Sequence, residues 1–404
     1  MLIVLFTIDD ILNAEKIIRG KVKRTPLNHS TTFSKMVGCE VYLKYENLQK
    51  AGSFKIRGAY NKIASLNKTQ KKSGVIAVST GNHAQGVALA ASLFQISATI
   101  VMPKGAPISK IEATKGYGGK VILFGESFEE AFTKALEIQK AENQTLVHAF
   151  DDPLIAAGQG TIGLEILADL PEVDVVVCPI GGGGLISGIA TAIKTRKPEC
   201  QVIGVQAKKM DAAYQSFKTG SLIHSEKGNT IADGIAIKSP SEFTFEILQS
   251  TLDDVVIVEE EEIAEAMLLL LERCKTVTEG AGAVTLAALL NYDIVKKGKK
   301  VVLVISGGNV DTTILSKLIT QGLIKSGRYQ EFKVLLEDKP GKLEELLKII
   351  SKMEANILDI IIDRYSADVP FNYVLASLAL ETKNTEHSKE LRNAIQHQFK
   401  IREN

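Results

Sequence analysis

A chain of 404 residues with 45% hydrophobic and 24% charged residues has the make-up of a soluble globular protein, long enough for two or three domains. Its net charge of +1, with no basic block and no stripe of basic and aromatic residues, argues against nucleic acid as a partner. Cys39, Cys178, Cys200 and Cys274 stand far apart without C-x-x-C spacing, which speaks for reduced thiols in the cytoplasm and against a disulfide framework or a zinc site.

In chain order, "MLIVLFTIDD" is apolar for six residues and then acidic. It lacks the basic start and the length of a signal peptide, so an arm or short strand is expected there. The stretch "ENLQKAGSFKIRGAYNKI", Glu46 to Ile63, places Lys55 where a loop opens a helix. Gly52 permits unusual backbone angles and Ser53 is able to cap the helix, a setting suited to a reactive amine.

Short β-rich runs then alternate with helical ones, as in "GVIAVST", "NHAQGVALAASLF", "ATIVMP", "PISKIEATKGYG" and "KVILFG". The run "VVVCPIGGGGLISGIATAI" carries no charge and is nearly long enough to cross a bilayer, but Pro179 and four glycines interrupt it. It reads as a buried strand, a loop and a helix, with no membrane segment. The alternation continues through "CQVIGVQA" and "KKVVLVISGGNVD" to about Ser326 and predicts two α/β lobes built on parallel sheets. Cys178 falls in one of the buried strands and reads as inert.

After "GLIKSGRYQ" the texture changes to β-α-β-β-α, the beginning of an α+β ferredoxin-like module. Only "KIREN" remains for a fourth strand, which is expected to be missing or very short. The boundary is placed so that residues 1–328 form the two-lobed domain, with the smaller lobe at about 48–145, and residues 329–404 form the second.

Three strand-to-helix turns are rich in glycine and small polar residues. Ser79, Thr80, Gly81, Asn82 and His83 open a helix, where free N–H groups favour an anion such as a carboxylate. Gly181, Gly182, Gly183 and Gly184 lack every Cβ that would block a phosphate. They do not make a dinucleotide fingerprint, because no acidic residue ends the next strand, nor a P-loop, because Lys-Ser/Thr is absent. Ser306 in "VLVISGGNVD" offers a hydroxyl at a strand end. Each turn alone has a plainer reading as a cap or a tight turn. Together with Lys55 they supply an amine, a phosphate cradle, a carboxylate cradle and a hydroxyl, the set that a pyridoxal phosphate enzyme requires.

The segments "SFKIRGA", "STGNHAQGVA", "GGGGLISG", "TIADGIAIK" and "SGGNVD", in this order over some 260 residues, closely resemble the serine/threonine dehydratases of the tryptophan-synthase-like, fold type II pyridoxal phosphate enzymes. The tail "LEDKPGKLEELLKIISKMEANILDI" resembles an ACT domain, a regulatory amino-acid-binding module. The resemblance implies that Lys55 binds the cofactor aldehyde and that Asn82 bonds its phenolic oxygen. It implies too that Gly181 to Gly184 with Leu185 hold the phosphate, Ser306 faces the pyridine nitrogen and Ser79 to His83 receive the substrate carboxylate. By the same likeness Glu279 in "TEGAGA" falls near the cofactor ring.

The implied activity is deamination of L-threonine and L-serine by loss of water, in a cytoplasmic homo-oligomer, dimer or tetramer, with a branched-chain amino acid as effector. Serine dehydratase, serine racemase and hydroxyaspartate ammonia-lyase are alternatives within the family, and a non-catalytic amino-acid sensor is one outside it. Related racemases carry serine where Thr80 stands, and carboxylates for a divalent cation where Gln206 and Ala212 stand, so no metal is expected.

Overall fold

The computed structural model describes residues 6–226, 228–367 and 369–402. They fall into two compact units that divide between Asp311 and Thr312. Of the ten residues expected to form an arm or short strand, the first five lie outside the described residues; the Phe6 ring meets Phe243 edge-on at 5.8 Å, and Ile8 to Asp10 instead begin helix Ile8–Ile18, with Thr7 before it.

The strands of the first unit are β1 (Leu27–His29), β2 (Glu40–Tyr45), β3 (Val75–Val78), β4 (Ala98–Met102), β5 (Gly119–Leu123), β6 (Thr145–Leu146), β7 (Val175–Pro179), β8 (Gln201–Ala207), β9 (Asp254–Val258) and β10 (Lys300–Ile305). They form two sheets, a smaller one in the order β5-β4-β3-β6 and a larger one in the order β1-β2-β10-β7-β8-β9. All neighbours pair parallel except β1, which runs antiparallel to β2 at the edge. Every residue of β3, β4 and β7 is buried, because helices cover both faces of each sheet and leave no polar side to alternate with.

Helix Pro153–Asp169 joins the two lobes. Asp152 accepts from the Leu154 N–H and Pro153 takes the first helical position, where its missing N–H costs nothing. Ile155 belongs to the core of the smaller lobe, whereas Ile162 and Ile166 belong to that of the larger. A Cβ on Gly158 would stand 2.6 Å from the Arg57 carbonyl oxygen, so helices Lys55–Ala64 and Pro153–Asp169 pack backbone to backbone.

Beneath this contact lies a buried ion cluster. The guanidinium of Arg57, with no exposed surface, donates to Glu46 at 2.7 and 2.9 Å and to Glu165 at 2.7 and 2.9 Å. The equally buried Lys44 completes the set by donating to Glu165 and to the Thr25 carbonyl oxygen. Two cations and two carboxylates balance, and burial, which opposes the charge on Arg57, is outweighed by Glu46 and Glu165. The group ties the helix that begins with Lys55 to β2 and to helix Pro153–Asp169.

The second unit holds helix Thr312–Lys325 and then β11 (Tyr329–Glu337), helix Lys342–Lys352, β12 (Asn356–Asp363), β13 (Tyr373–Glu381), helix Thr385–Gln396 and β14 (Lys400–Arg402). The antiparallel sheet β12-β13-β11-β14 packs Phe332, Val334 and Leu336 against Leu346, Ile350, Leu391 and Ile395 of the two helices. This is the β-α-β-β-α-β order of a ferredoxin-like fold. The fourth strand is very short, three residues paired with Lys333, Val334 and Leu335 of β11.

Removing one member of a buried ion cluster leaves its partner charged and unpaired. Arg57→Ala is therefore expected to lower stability by about 3–5 kcal/mol, read as a fall in the urea midpoint, whereas Arg19→Ala at the exposed pair with Glu15 shifts it little.

Candidate active site

The segment that carries Lys55 is laid against the end of β10. Gly52 accepts the Gly308 N–H at 2.9 Å, Ser53 forms a bridge with Gly307, and the Phe54 N–H donates to the Ser306 carbonyl oxygen at 3.2 Å. Gly52 has φ +70°, and a Cβ there would overlap the amide of Asn309, so the turn requires glycine on both counts. Ser53 does not cap the helix. Its backbone is extended in the bridge, Phe54 takes the position before helix Lys55–Ala64, and the buried Ser53 hydroxyl finds no hydrogen-bond partner among the described residues.

Lys55 is half-buried. Its Nζ donates to the Ala149 carbonyl oxygen at 3.0 Å and lies 5.1 Å from the centre of the Phe54 ring. Among the described residues no carboxylate lies within ion-pair distance of it, and burial brings its pKa down to about 8 against the opposing pull of Glu279. An amine in this state is partly neutral near physiological pH, as a nucleophile or base must be.

Gly181 to Gly184 follow β7 and open helix Gly184–Arg196. Gly183 has φ +94°, and a Cβ on Gly182 would overlap the ring of Phe150. Among the described residues the N–H groups from Gly181 to Leu185 find no protein acceptor, which leaves five donors in succession for an anion. Ser306, 2% exposed, donates to the Ala281 carbonyl oxygen at 3.3 Å and brings no charge to the site.

The first loop is half-buried from Ser79 to Asn82, with the Gly81 N–H donating to the Ser79 hydroxyl at 3.1 Å. His83 turns inward instead. Its Nε2 lies 2.8 Å from the Val147 carbonyl oxygen, which only accepts, so the proton sits on Nε2. Burial, aided by Lys55, pushes its pKa down to about 3, and the ring is neutral near pH 7. Asn82 is held at both ends: its Oδ1 accepts from Asn309 Nδ2 at 2.7 Å and its Nδ2 donates to Glu279 Oε1 at 2.6 Å.

Other residues make contacts that the sequence does not spell out. Asn309 also donates to the Ala51 carbonyl oxygen, and so joins the Lys55 turn to the first loop. Phe150 supplies the wall behind Gly182, and Asp233 meets Lys110 of the smaller lobe at 2.7 Å. Gln206, buried, accepts the Tyr214 N–H and thereby pins the start of helix Ala212–Thr219.

The residues fit pyridoxal phosphate: a half-buried amine without an ion pair among the described residues, a row of five unclaimed N–H donors on a turn packed so closely on Phe150 and Thr244 that Gly182 and Gly183 leave no room for a side chain, and a neutral hydroxyl at the strand end. Since the neutral amine is the nucleophile, cofactor-free protein is expected to capture pyridoxal phosphate covalently at a rate that rises with pH to a plateau above about 8. Stopped-flow absorbance measures this, and Lys55→Ala should abolish it.

Residues 18–307 match the family model described as pyridoxal-phosphate dependent enzyme. The chain is 50% identical over 392 residues to the L-threonine ammonia-lyase of Thermotoga maritima, with 97% of each chain covered. Among solved structures it resembles maize serine racemase, at 38% identity and a TM-score of 0.75 over 79% of this chain and 98% of that one. It also resembles the processed form of threonine deaminase isoform 2 from Solanum lycopersicum, at 36% identity and a TM-score of 0.74 over 78% and 91%.

Proposed function

The chain belongs to the pyridoxal-phosphate dependent enzymes, and from that membership we propose that it is an L-threonine ammonia-lyase that also accepts L-serine. The observation that carries this reading is the Lys55 amine, without an ion-pair partner among the described residues, held on the Ala149 carbonyl oxygen next to the Phe150 that backs the glycine turn. When bound, pyridoxal phosphate supplies an aldehyde that takes up an amine and a ring that withdraws electrons from the substrate Cα.

The chain's own residues do the rest. Lys55 would hold the cofactor through its Nζ, and the same amine, when free, would take the proton from the substrate Cα. Gly181 to Gly184 with Leu185 would bind the phosphate, Asn82 would donate to the ring hydroxyl, and Ser306 would face the ring nitrogen. The N–H groups and hydroxyls from Ser79 to His83 would receive the substrate carboxylate. A hydroxyl partner, unlike a carboxylate, does not hold the ring nitrogen protonated, which favours prompt loss of the β-hydroxyl over slower side reactions. The dehydrated amino acid hydrolyses in water to ammonia and 2-oxobutanoate, or pyruvate from serine.

A serine racemase reading has the maize structure in its favour. Against it stand Thr80, whose β-branch restricts the hydroxyl, and Gln206, whose oxygen is already taken by Tyr214. Among the described residues no helix is long and apolar enough to cross a membrane. Free, buried Cys39, Cys178 and Cys200 support a cytoplasmic enzyme.

The second unit we read as an ACT-type regulatory domain in a homo-oligomer. Its turn at Pro340 and Gly341, where φ is +92°, leads from β11 into helix Lys342–Lys352 beside a cavity of about 60 Å³ lined by Glu337, Asp338, Lys339 and Leu343. An effector bound there alters activity only through unequal affinity for two arrangements of the protein.

Steady-state kinetics test the substrate. Threonine is expected to have the higher kcat/KM, by a factor of roughly 10 to 200 at most, because one methyl group contributes about 1–3 kcal/mol; a clear preference for serine would count against the reading. Isoleucine, and valine more weakly, are expected to shift the threonine saturation curve. A chain ending at Asp311, where the compact units divide, should keep turnover and lose that shift.

A further inference from the structure

Glu279 is the residue before helix Gly280–Asn291, where a side chain ordinarily accepts an N–H from the first turn. It makes no such cap. Its carboxyl, 4% exposed, accepts instead from Asn82 Nδ2 at the start of helix Asn82–Leu93.

Two glycines are shaped around this bond. A Cβ on Gly307 would overlap Glu279 Oε1 and stand 3.1 Å from Asn82 Nδ2, and one on Gly234 would stand 3.4 Å from the same oxygen and 3.9 Å from the same nitrogen. The opposite end of the Asn82 amide accepts from Asn309. With its oxygen taken by a donor and one N–H taken by an acceptor, the amide has one defined orientation and one N–H left for a ligand.

We propose that Glu279 is a positioning residue that fixes the orientation of the Asn82 amide toward pyridoxal phosphate, an inference that rests on the cofactor reading of this site. Glu279 acts through Asn82. It needs to accept a hydrogen bond and does not need to be charged. In keeping with that, burial first and Asp233 second push its carboxyl up to about 7, against the Asn82 bond, Lys110 and Lys55, which pull it down. A protonated carboxyl keeps a carbonyl oxygen to accept with.

The test is a double-mutant cycle on the full-length protein, stripped of cofactor and titrated with pyridoxal phosphate by absorbance. Glu279→Ala is expected to raise the dissociation constant about tenfold, and Glu279→Gln, which keeps an accepting oxygen, by no more than about twofold. In an Asn82→Ala background Glu279→Ala should add nothing. Glu279→Asp, which retains the charge and withdraws the oxygen by one carbon, should follow alanine and serves in its place should the alanine variant not fold. Unchanged cofactor affinity in the folded alanine or aspartate variant overturns the inference, as does an equal loss with and without Asn82. A wild-type protein that takes up no pyridoxal phosphate overturns the cofactor reading as well; one that takes it up but shows no coupling overturns this inference alone.

Discussion

A lysine amine half-buried without a carboxylate partner among the described residues is less favoured as a cation than one in water, and that constraint runs through the first unit. Desolvation costs an ammonium more than it costs an amine, which is why burial lowers the pKa of Lys55 to about 8. The remaining charge in its surroundings is arranged at a distance. Arg57, two residues along the same helix, is itself held by Glu46 and Glu165. The cost of burying four charges is offset only because each has a partner. The cluster thereby anchors the helix while leaving its first residue chemically free.

The same economy governs the anion sites. Backbone N–H groups at a helix start attract an anion without bringing a side-chain proton that would compete with Lys55. Gly181 to Gly184 provide them after β7, and the loop from Ser79 to His83 provides them after β3. His83 sits beside this loop as a neutral ring committed to Val147, so it adds neither charge nor base.

The polar links from the Lys55 turn through the first loop to Glu279 run through amides. Asn309 reaches the Lys55 turn and Asn82, and Asn82 reaches Glu279. Amides set orientation without fixing charge, since each has distinct donor and acceptor ends. A site that holds a charged cofactor and a charged substrate benefits from a frame whose own charge is small.

The sequence by itself determined the lobes, the ferredoxin-like tail and the residues that can bear chemistry, because these rest on local rules: apolar runs make covered strands, glycine permits close approach, and a strand-to-helix turn exposes N–H groups. The turns that carry Lys55, Gly181 to Gly184 and Ser306 were legible for that reason. The role of Ser53 was not, since the bridge to Gly307 that takes it out of capping range joins residues more than 250 positions apart. Nor were the partners of Asn82, which come from 197 and 227 residues away, or the carboxylate that meets Arg57 from 108. Which atoms meet across such distances depends on how two sheets and the helices between them pack, and only the tertiary structure decides that: a hydrogen bond leaves no trace in the spacing of residues that are brought together by folding rather than by the chain.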